Sequence, residues 1–230
     1  MGQRVEFPSN GATGSGYLAE PERGAAGSIG VLVLQEWWGL VDQIIRTCDR
    51  FAAAGFTALA PDLYKGRAVP LTEPDEAAKE MMALEMGEAA HHLSGAVDEL
   101  LSRTGKATVG VVGFCMGGGL ALVLACQRPD AVAAVVPAYG VIPWPDAQPD
   151  YSKMRAAVLG HVAELDGSFT PEAARALESE LVGLGLDATF VVYPGVDHAF
   201  FNEDRPEVYD AASAELLWDR TVAFLHAQLD

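Results

Sequence analysis

The 230-residue sequence has little positive charge, few cysteines and no long hydrophobic run. Fifteen lysines and arginines stand against 32 aspartates and glutamates, and the resulting field repels nucleic acid and anionic lipid surfaces. Three cysteines, Cys48, Cys115 and Cys126, cannot all pair in disulfides, and their spacing fits no metal-binding pattern. No apolar stretch approaches the about 20 residues of a membrane span, and the N-terminus lacks a signal-peptide run. These absences predict a cytoplasmic protein that binds neither nucleic acid, membrane nor metal.

The remaining composition is that of a folded protein, since 50% of the residues are hydrophobic and 20% are charged. We see no internal repeat or linker, so we expect one domain over residues 1–230. Six short apolar runs, partly β-branched and without polar alternation, predict buried parallel strands at Ile29–Leu34, Thr57–Ala60, Thr108–Val112, Ala131–Pro137, Ala156–Val162 and Ala188–Val192. Helical segments lie between or after them, at Asp42–Ala54, Glu73–Arg103 with a break, Met116–Gln127, Pro171–Leu184 and Tyr209–Gln228.

Alternation of strands and helices predicts the fold class α/β, a doubly wound and mostly parallel sheet with helices on both faces. The Gly- and Ser-rich segment before Ala19 predicts a small antiparallel hairpin at one edge. Ligands of such folds bind at the carboxyl ends of the strands, so those loops are where a functional site is expected.

A glycine-rich turn joins the third predicted parallel strand to an apolar helix. It reads Gly113-Phe114-Cys115-Met116-Gly117, the Gly-x-nucleophile-x-Gly pattern of a nucleophile elbow with cysteine in the nucleophile position. Glycines permit the close approach of strand and helix, and the helix N-terminus favours a thiolate. Cys115 is therefore the predicted nucleophile, whereas Cys48 and Cys126 are interpreted as small core residues. The alternative of a dinucleotide-binding turn fails because the Gly-x-Gly-x-x-Gly spacing is absent.

A histidine and an aspartate follow two later strands. His198 lies in a Gly-containing loop after the last strand, and Asp166 lies after strand Ala156–Val162, so both belong to the same edge as Cys115. The order nucleophile, acid, histidine is the one expected for this kind of elbow. Glu164 and Asp197 compete for the acid role. The other four histidines, His91, His92, His161 and His226, are assigned to surface or packing roles.

The sequence resembles the dienelactone hydrolase (carboxymethylenebutenolidase) family over nearly its whole length. The resemblance rests on five segments, which are Gln35–Gly39, Ala60–Tyr64, Gly113–Gly118, Asp166 and Gly195–Phe200. It implies the α/β-hydrolase fold and a Cys115–His198–Asp166 triad that cleaves an ester or lactone through a thioester. It also implies a role for Glu36 in generating the thiolate, an oxyanion hole formed by the backbone N–H groups of Trp37 and Met116, and no cofactor.

The sequence departs from the family where dienelactone-cleaving members hold the substrate carboxylate with two arginines. Lys79 stands in the first region, the second has Asn202 with Arg205 a few residues later, and Arg67 is a further candidate. Lysine is a weaker bidentate partner for carboxylate than arginine. Aromatic residues could instead line an apolar pocket for a bulkier neutral ester. The candidate substrate contacts are Trp38, Tyr64, Lys79, Tyr139 and Phe200.

Three functions therefore remain open: a dienelactone hydrolase-like enzyme, a broad carboxylesterase or thioesterase with the same triad, and a non-catalytic binding domain of the same fold. The expected partner is a small ester or lactone, and the chain is expected to act as a monomer or homodimer. The complete triad argues against the non-catalytic interpretation.

Overall fold

The computed structural model describes residues 2–140 and 142–230, which form one eight-stranded sheet flanked by helices. Residues 1 and 141 of the expected domain lie outside the described residues. The strands are β1 (Gln3–Ser9), β2 (Ala12–Ala19), β3 (Gly30–Leu34), β4 (Thr57–Pro61), β5 (Val109–Phe114), β6 (Val132–Ala138), β7 (Ala157–Ala163) and β8 (Ala188–Tyr193). The α-helices are α1 (Asp42–Ala53), α2 (Pro74–Met82), α3 (Met86–Thr104), α4 (Met116–Gln127), α5 (Pro171–Gly183) and α6 (Ala211–Leu229). Two 3₁₀ turns, Pro145–Ala147 and Tyr151–Lys153, precede β7.

The strand order is β1-β2-β4-β3-β5-β6-β7-β8. Strands β4, β3, β5, β6, β7 and β8 run parallel, while β1 and β2 add an antiparallel hairpin beside β4. The predicted parallel strands are confirmed with bounds that differ by at most two residues, and the edge hairpin is confirmed as well. Central strands β3 and β5 are buried at every residue, which explains why they read as continuous apolar runs.

Helices cover both faces of the sheet, as expected for a doubly wound fold. Two glycines of β5 show this, because residues 110 and 113 point to opposite faces. A Cβ at Gly110 would meet Leu225 and Leu229 of α6, whereas a Cβ at Gly113 would collide with the backbone of Gly117 in α4. The predicted break in the helical segment after β4 is confirmed and lies between α2 and α3.

The connections after β3, β5, β7 and β8 leave the sheet at the same edge, because these strands are parallel. Those four connections carry Glu36, Cys115, Asp166 and His198, respectively. Among the described residues, no helix has both the length and the apolarity needed to cross a membrane.

Candidate active site

Cys115 occupies the sharp turn between β5 and α4. Its backbone has φ 54° and ψ −119°, a positive φ that L-residues rarely adopt, and its N–H donates to Ala138 O on neighbouring β6 at 3.0 Å. The turn is tight because α4 starts against the sheet: a Cβ at Gly117 would lie 2.5 Å from Leu34 O. Strand, turn and helix N-terminus therefore hold the thiol at the floor of a cavity, with only 7% of the residue exposed.

His198 lines the same cavity and contacts Asp166. The distance from His198 Nδ1 to Asp166 Oδ2 is 2.7 Å. The other carboxylate oxygen of Asp166 accepts the backbone N–H groups of Ser168 (2.7 Å) and Phe169 (3.1 Å). Because these bonds fix the carboxylate as an acceptor, Nδ1 of the imidazole carries the proton that is shared with Asp166. Nε2 then remains available to groups in the cavity.

The electrostatics of the pair favour a charged imidazole. Burial by itself would lower the pKa of His198, but the Asp166 carboxylate and the neighbouring Cys115 sulfur raise it to about 10. For Asp166, burial raises the pKa, and the stronger combined effect of His198 and the two backbone donors leaves it below its usual value. The arrangement therefore places a charged imidazole beside the Cys115 sulfur near neutral pH.

The two competing acids make other contacts. Glu164 is exposed and accepts the backbone N–H of Gly195 at 2.8 Å. Asp197 is also exposed, and its carboxylate accepts the backbone N–H of His198 at 2.7 Å rather than touching the ring. Of the three acids, Asp166 is the one that contacts the imidazole.

His161, which sequence patterns assigned to packing or the surface, is fully buried on β7. Its ring nitrogens contact Tyr193 Oη (2.9 Å) and Thr221 Oγ1 (3.1 Å). Burial, with a smaller effect of the Arg220 charge, lowers its pKa to about 3, so the ring is neutral. These contacts join β7, β8 and α6.

Glu36 lies on the cavity wall just after β3 and is 1% exposed. Its Oε2 accepts Nδ2–H of Asn202 at 2.8 Å, and its Oε1 lies 3.4 Å from the Tyr139 hydroxyl, which donates to it. Burial raises the pKa of Glu36, and the Asn202 hydrogen bond opposes the rise. Sequence reasoning did not assign a role to Asn202, because a single asparagine in a loop carries no pattern of its own.

One of the two expected oxyanion donors is adjacent to Cys115 in sequence, and the other lines the same cavity. Met116 begins α4 directly after the cysteine, and Trp37 follows Glu36 on the cavity wall. Within residues 2–140 and 142–230, neither backbone N–H donates to another backbone group outside regular helix and strand pairing. Neither N–H group is therefore committed to a backbone partner of that kind, and their role as oxyanion donors stays a prediction.

The cavity has a volume of about 680 Å³. Beside Glu36, Cys115 and His198, its wall is mostly apolar and includes Trp37, Met81, Leu122, Ile142, Pro143, Tyr151, Phe169, Leu177 and Val208. Such a cavity can bury a substrate considerably larger than a single lactone ring.

The five candidate substrate contacts, whose role stays a prediction, lie in the following places. Trp38 and Phe200 are in the core, where Trp38 packs against Val69 and Phe200 against the ring of Tyr193. The Tyr64 hydroxyl points to Met116 Sδ at 3.5 Å. Tyr139 donates to Glu36, and the exposed Lys79 pairs with Glu76 at 2.6 Å. None of the five occurs among the described residues that line the cavity: the four aromatic side chains gain more from burial in the protein interior, and Lys79 stays in solvent beside Glu76.

The two arginines that could replace those of the family lie in different places. Arg67 is exposed on the surface and pairs with Glu80 and Glu76. Arg205 lines the cavity with 22% of its side chain exposed, pairs with Glu207 at 2.9 Å and stacks over Trp38 at 5.8 Å. In the described part of the wall it is the one lysine or arginine.

The described residues contain no group of three or more histidine, cysteine, aspartate or glutamate side chains arranged to hold a metal ion. The cavity is lined by a thiol, an imidazole that contacts Asp166, and the Glu36 carboxyl group, which are the groups required for nucleophilic and acid–base chemistry.

Comparison with known proteins identifies the family and the fold of the chain. The sequence model of the dienelactone hydrolase family matches residues 15–229. "Protein usf" of Aquifex pyrophilus is 37% identical and "Putative carboxymethylenebutenolidase" of Aquifex aeolicus 35% identical, each over all of both chains. Among solved structures, "Putative Dienelactone Hydrolase" from Klebsiella pneumoniae superposes with a TM-score of 0.86 at 26% identity and covers 98% of each chain. The chain thus has the α/β-hydrolase fold that the sequence implied.

Proposed function

Since the chain belongs to the dienelactone hydrolase family, and so to the carboxylic ester hydrolases, we propose that it cleaves an ester or lactone with Cys115 as nucleophile. One observation carries the proposal. Cys115, in a strained turn at a helix N-terminus, shares a cavity with His198, whose imidazole is held by Asp166 at 2.7 Å. A thiol in such surroundings is an activated nucleophile.

Acylation follows from these contacts. The Cys115 thiolate attacks the ester carbonyl carbon, and the N–H groups of Trp37 and Met116 bind the oxyanion that develops. When the tetrahedral intermediate collapses, the carbon–oxygen bond breaks and the leaving alkoxide takes the proton of the His198 imidazolium. The product of this half-reaction is a thioester on Cys115.

Deacylation reverses the role of the imidazole. Neutral His198 removes a proton from water, which attacks the thioester carbonyl, and Cys115 departs as the thiolate. The acid product leaves, and His198 again carries the proton. Asp166 keeps the ring in one orientation throughout, and Glu36 takes part in forming the thiolate. These groups supply all the required proton transfers, so the mechanism needs neither a metal nor an organic cofactor.

The test is hydrolysis of p-nitrophenyl acetate by the wild type and by Cys115→Ala, with Cys126→Ala as the matched control. We expect the wild type and the control to be active and Cys115→Ala to be inactive, with iodoacetamide abolishing wild-type activity through Cys115. Equal rates in wild type and Cys115→Ala would remove this cysteine from the mechanism. No hydrolysis of any ester by the wild type would instead favour a non-catalytic binding domain.

The size and lining of the cavity favour a second candidate substrate class, a bulkier and largely apolar carboxylic ester or thioester. The apolar side chains from α2, α4 and α5 form a wall extending beyond the thiol. A panel of small lactones, aryl esters and acyl thioesters separates the candidates. Higher kcat/KM for the bulky members would identify a broad carboxylesterase or thioesterase, and higher kcat/KM for carboxylate-bearing lactones would identify a dienelactone hydrolase.

We place the enzyme in the cytoplasm as a single domain that acts as a monomer or homodimer. Cys48, Cys115 and Cys126 are all buried and free, which fits a reducing compartment.

A further inference from the structure

Glu36 is a buried carboxyl group held by neutral partners. Its two oxygens contact the Asn202 amide (2.8 Å) and the Tyr139 hydroxyl (3.4 Å). The charged or titratable groups around it come from the loops after β5, β6 and β8: Tyr139 is in contact, His198 and Arg205 act at longer range, and Cys115 lies on the same cavity wall. Among the described residues, no lysine or arginine forms a salt bridge with it.

Hydrogen bonds around Asn202 orient its side-chain N–H group toward this carboxyl group. The residue is fully buried, and its turn is fixed by backbone bonds from Asn202 N to Ala199 O (2.9 Å) and from Arg205 N to Asn202 O (3.0 Å). Its side-chain oxygen accepts the backbone N–H of Asp204 at 3.1 Å. With the oxygen engaged, the Nδ2–H group must face Glu36, so the amide has one possible orientation.

We propose that Asn202 is a positioning residue that holds Glu36 by hydrogen bonding without an opposing charge, so that Glu36 can accept and release a proton at the cavity. The proposal rests on the function proposed above, in which Glu36 takes part in forming the Cys115 thiolate, and it adds Asn202 as the residue that sets the position and protonation of the Glu36 carboxyl group.

The chemistry of the donor decides how freely the proton moves. A cation in contact would keep Glu36 ionised, and loss of every donor would keep the buried carboxyl group protonated. A neutral amide lies between these limits, since it stabilises the carboxylate without cancelling its charge. Burial raises the pKa of Glu36, and Asn202 restrains that rise, which agrees with this geometry.

The decisive variant is Asn202→Asp. It keeps the side-chain oxygen that accepts Asp204 N–H and keeps the size of the residue, but it turns an oxygen toward Glu36 in place of the amide. Two carboxyl groups at this distance share one proton, so the pair should stay protonated to higher pH. The readout is the infrared band of a protonated buried carboxylic acid, titrated against pH and assigned by its absence in Glu36→Gln.

We expect the midpoint of that band to move up by about one pH unit or more in Asn202→Asp, and the acidic limb of kcat/KM to move in the same direction. Asn202→Ser, whose hydroxyl is too short to reach Glu36, should shift both in the same direction and serves if Asn202→Asp does not fold. Unchanged midpoints in the variants that fold would overturn the proposal.

Exchanging the two hydrogen-bonding side chains distinguishes the proposed role of Asn202 from a purely structural one. Glu36→Gln combined with Asn202→Asp re-creates an amide–carboxylate hydrogen bond with donor and acceptor reversed. We expect the double variant to recover the Tm lost in Asn202→Asp but to remain as inactive as Glu36→Gln, and recovery of activity would contradict us. The infrared titration needs no substrate, so it remains decisive even if no ester is hydrolysed and the proposed function fails.

Discussion

His198 Nδ1 lies 2.7 Å from Asp166 Oδ2, although the two residues are separated by 32 positions and come from the ends of different strands. Asp166 is held in turn by two backbone N–H groups, so the imidazole is oriented by a rigid acceptor. Nε2 of the ring is thereby directed to the cavity that contains Cys115.

Replacing Asp166 with asparagine should lower kcat by about 100- to 10,000-fold, because the imidazole loses the carboxylate that fixes its tautomer and stabilises its charge. The fold should survive, since an amide oxygen can still accept the two backbone donors. Asp197→Asn is the matched control, because that exposed carboxylate accepts the His198 backbone N–H, a bond that an amide oxygen can also accept. The measurement is steady-state hydrolysis of an aryl ester, and comparable losses in the two variants would contradict the assignment.

Cys115→Ser should keep the fold and lose most of the activity. A hydroxyl is much harder to deprotonate than a thiol, and the His198–Asp166 pair lies beside the Cys115 sulfur. Circular dichroism establishes the fold, and kcat/KM with p-nitrophenyl acetate establishes the loss. Turnover equal to that of the wild type would show that thiol acidity is unimportant here.

Arg205→Met should discriminate against carboxylate-bearing substrates. Arg205 is the cationic side chain on the described cavity wall. Its loss should therefore lower kcat/KM about tenfold for an ester with a free carboxylate, relative to a neutral ester of similar size. A tenfold change corresponds to about 1.4 kcal/mol of transition-state stabilisation. Lys79→Met, on the exposed surface, should leave the ratio unchanged. An unchanged ratio in Arg205→Met would mean that substrate anions are not bound at this position.

Gly117→Ala should reduce the free energy of unfolding by about 1–3 kcal/mol, because the new methyl group would lie 2.5 Å from Leu34 O in a place that cannot relax easily. Gly87→Ala is the control within a helix, since its Cβ would meet nothing within 4 Å. That substitution should be neutral or stabilise by up to about 1 kcal/mol. The measurement is urea unfolding of both variants. Similar stabilities would show that the turn at Cys115 can accommodate the added methyl group.

Stability should fall in mild alkali through His198. Its pKa is raised from 6.5 to about 10 in the folded state, so the folded chain keeps a proton that the unfolded chain releases. The contribution of His198 to the free energy of unfolding is complete below about pH 6.5 and is lost as the pH rises through about 10. The free energy of unfolding should therefore decline more steeply over this range in the wild type than in His198→Gln. Parallel curves for the two proteins would show that His198 has no raised pKa.

Much of this protein follows from local sequence. The continuous apolar runs of β3 and β5 identify buried parallel strands, because side chains on both faces of such strands are covered. Gly113 and Gly117 identify the turn at Cys115, since only glycine fits where the helix meets the strand. Chain order then brings Asp166 and His198 to the same edge, because parallel strands end together.

The contacts made at that edge depend on the tertiary structure alone. Asn202 and Glu36 are separated by 166 positions, and no pattern in either segment indicates that the amide faces the carboxylate. No pattern indicates that Tyr139, a candidate substrate contact, donates to Glu36, or that Trp38 packs against Val69. Local backbone preference and apolar spacing act over a few residues and determine elements and their order. The direction of each side chain is decided by competition for space among distant elements, which exists only once the chain has folded.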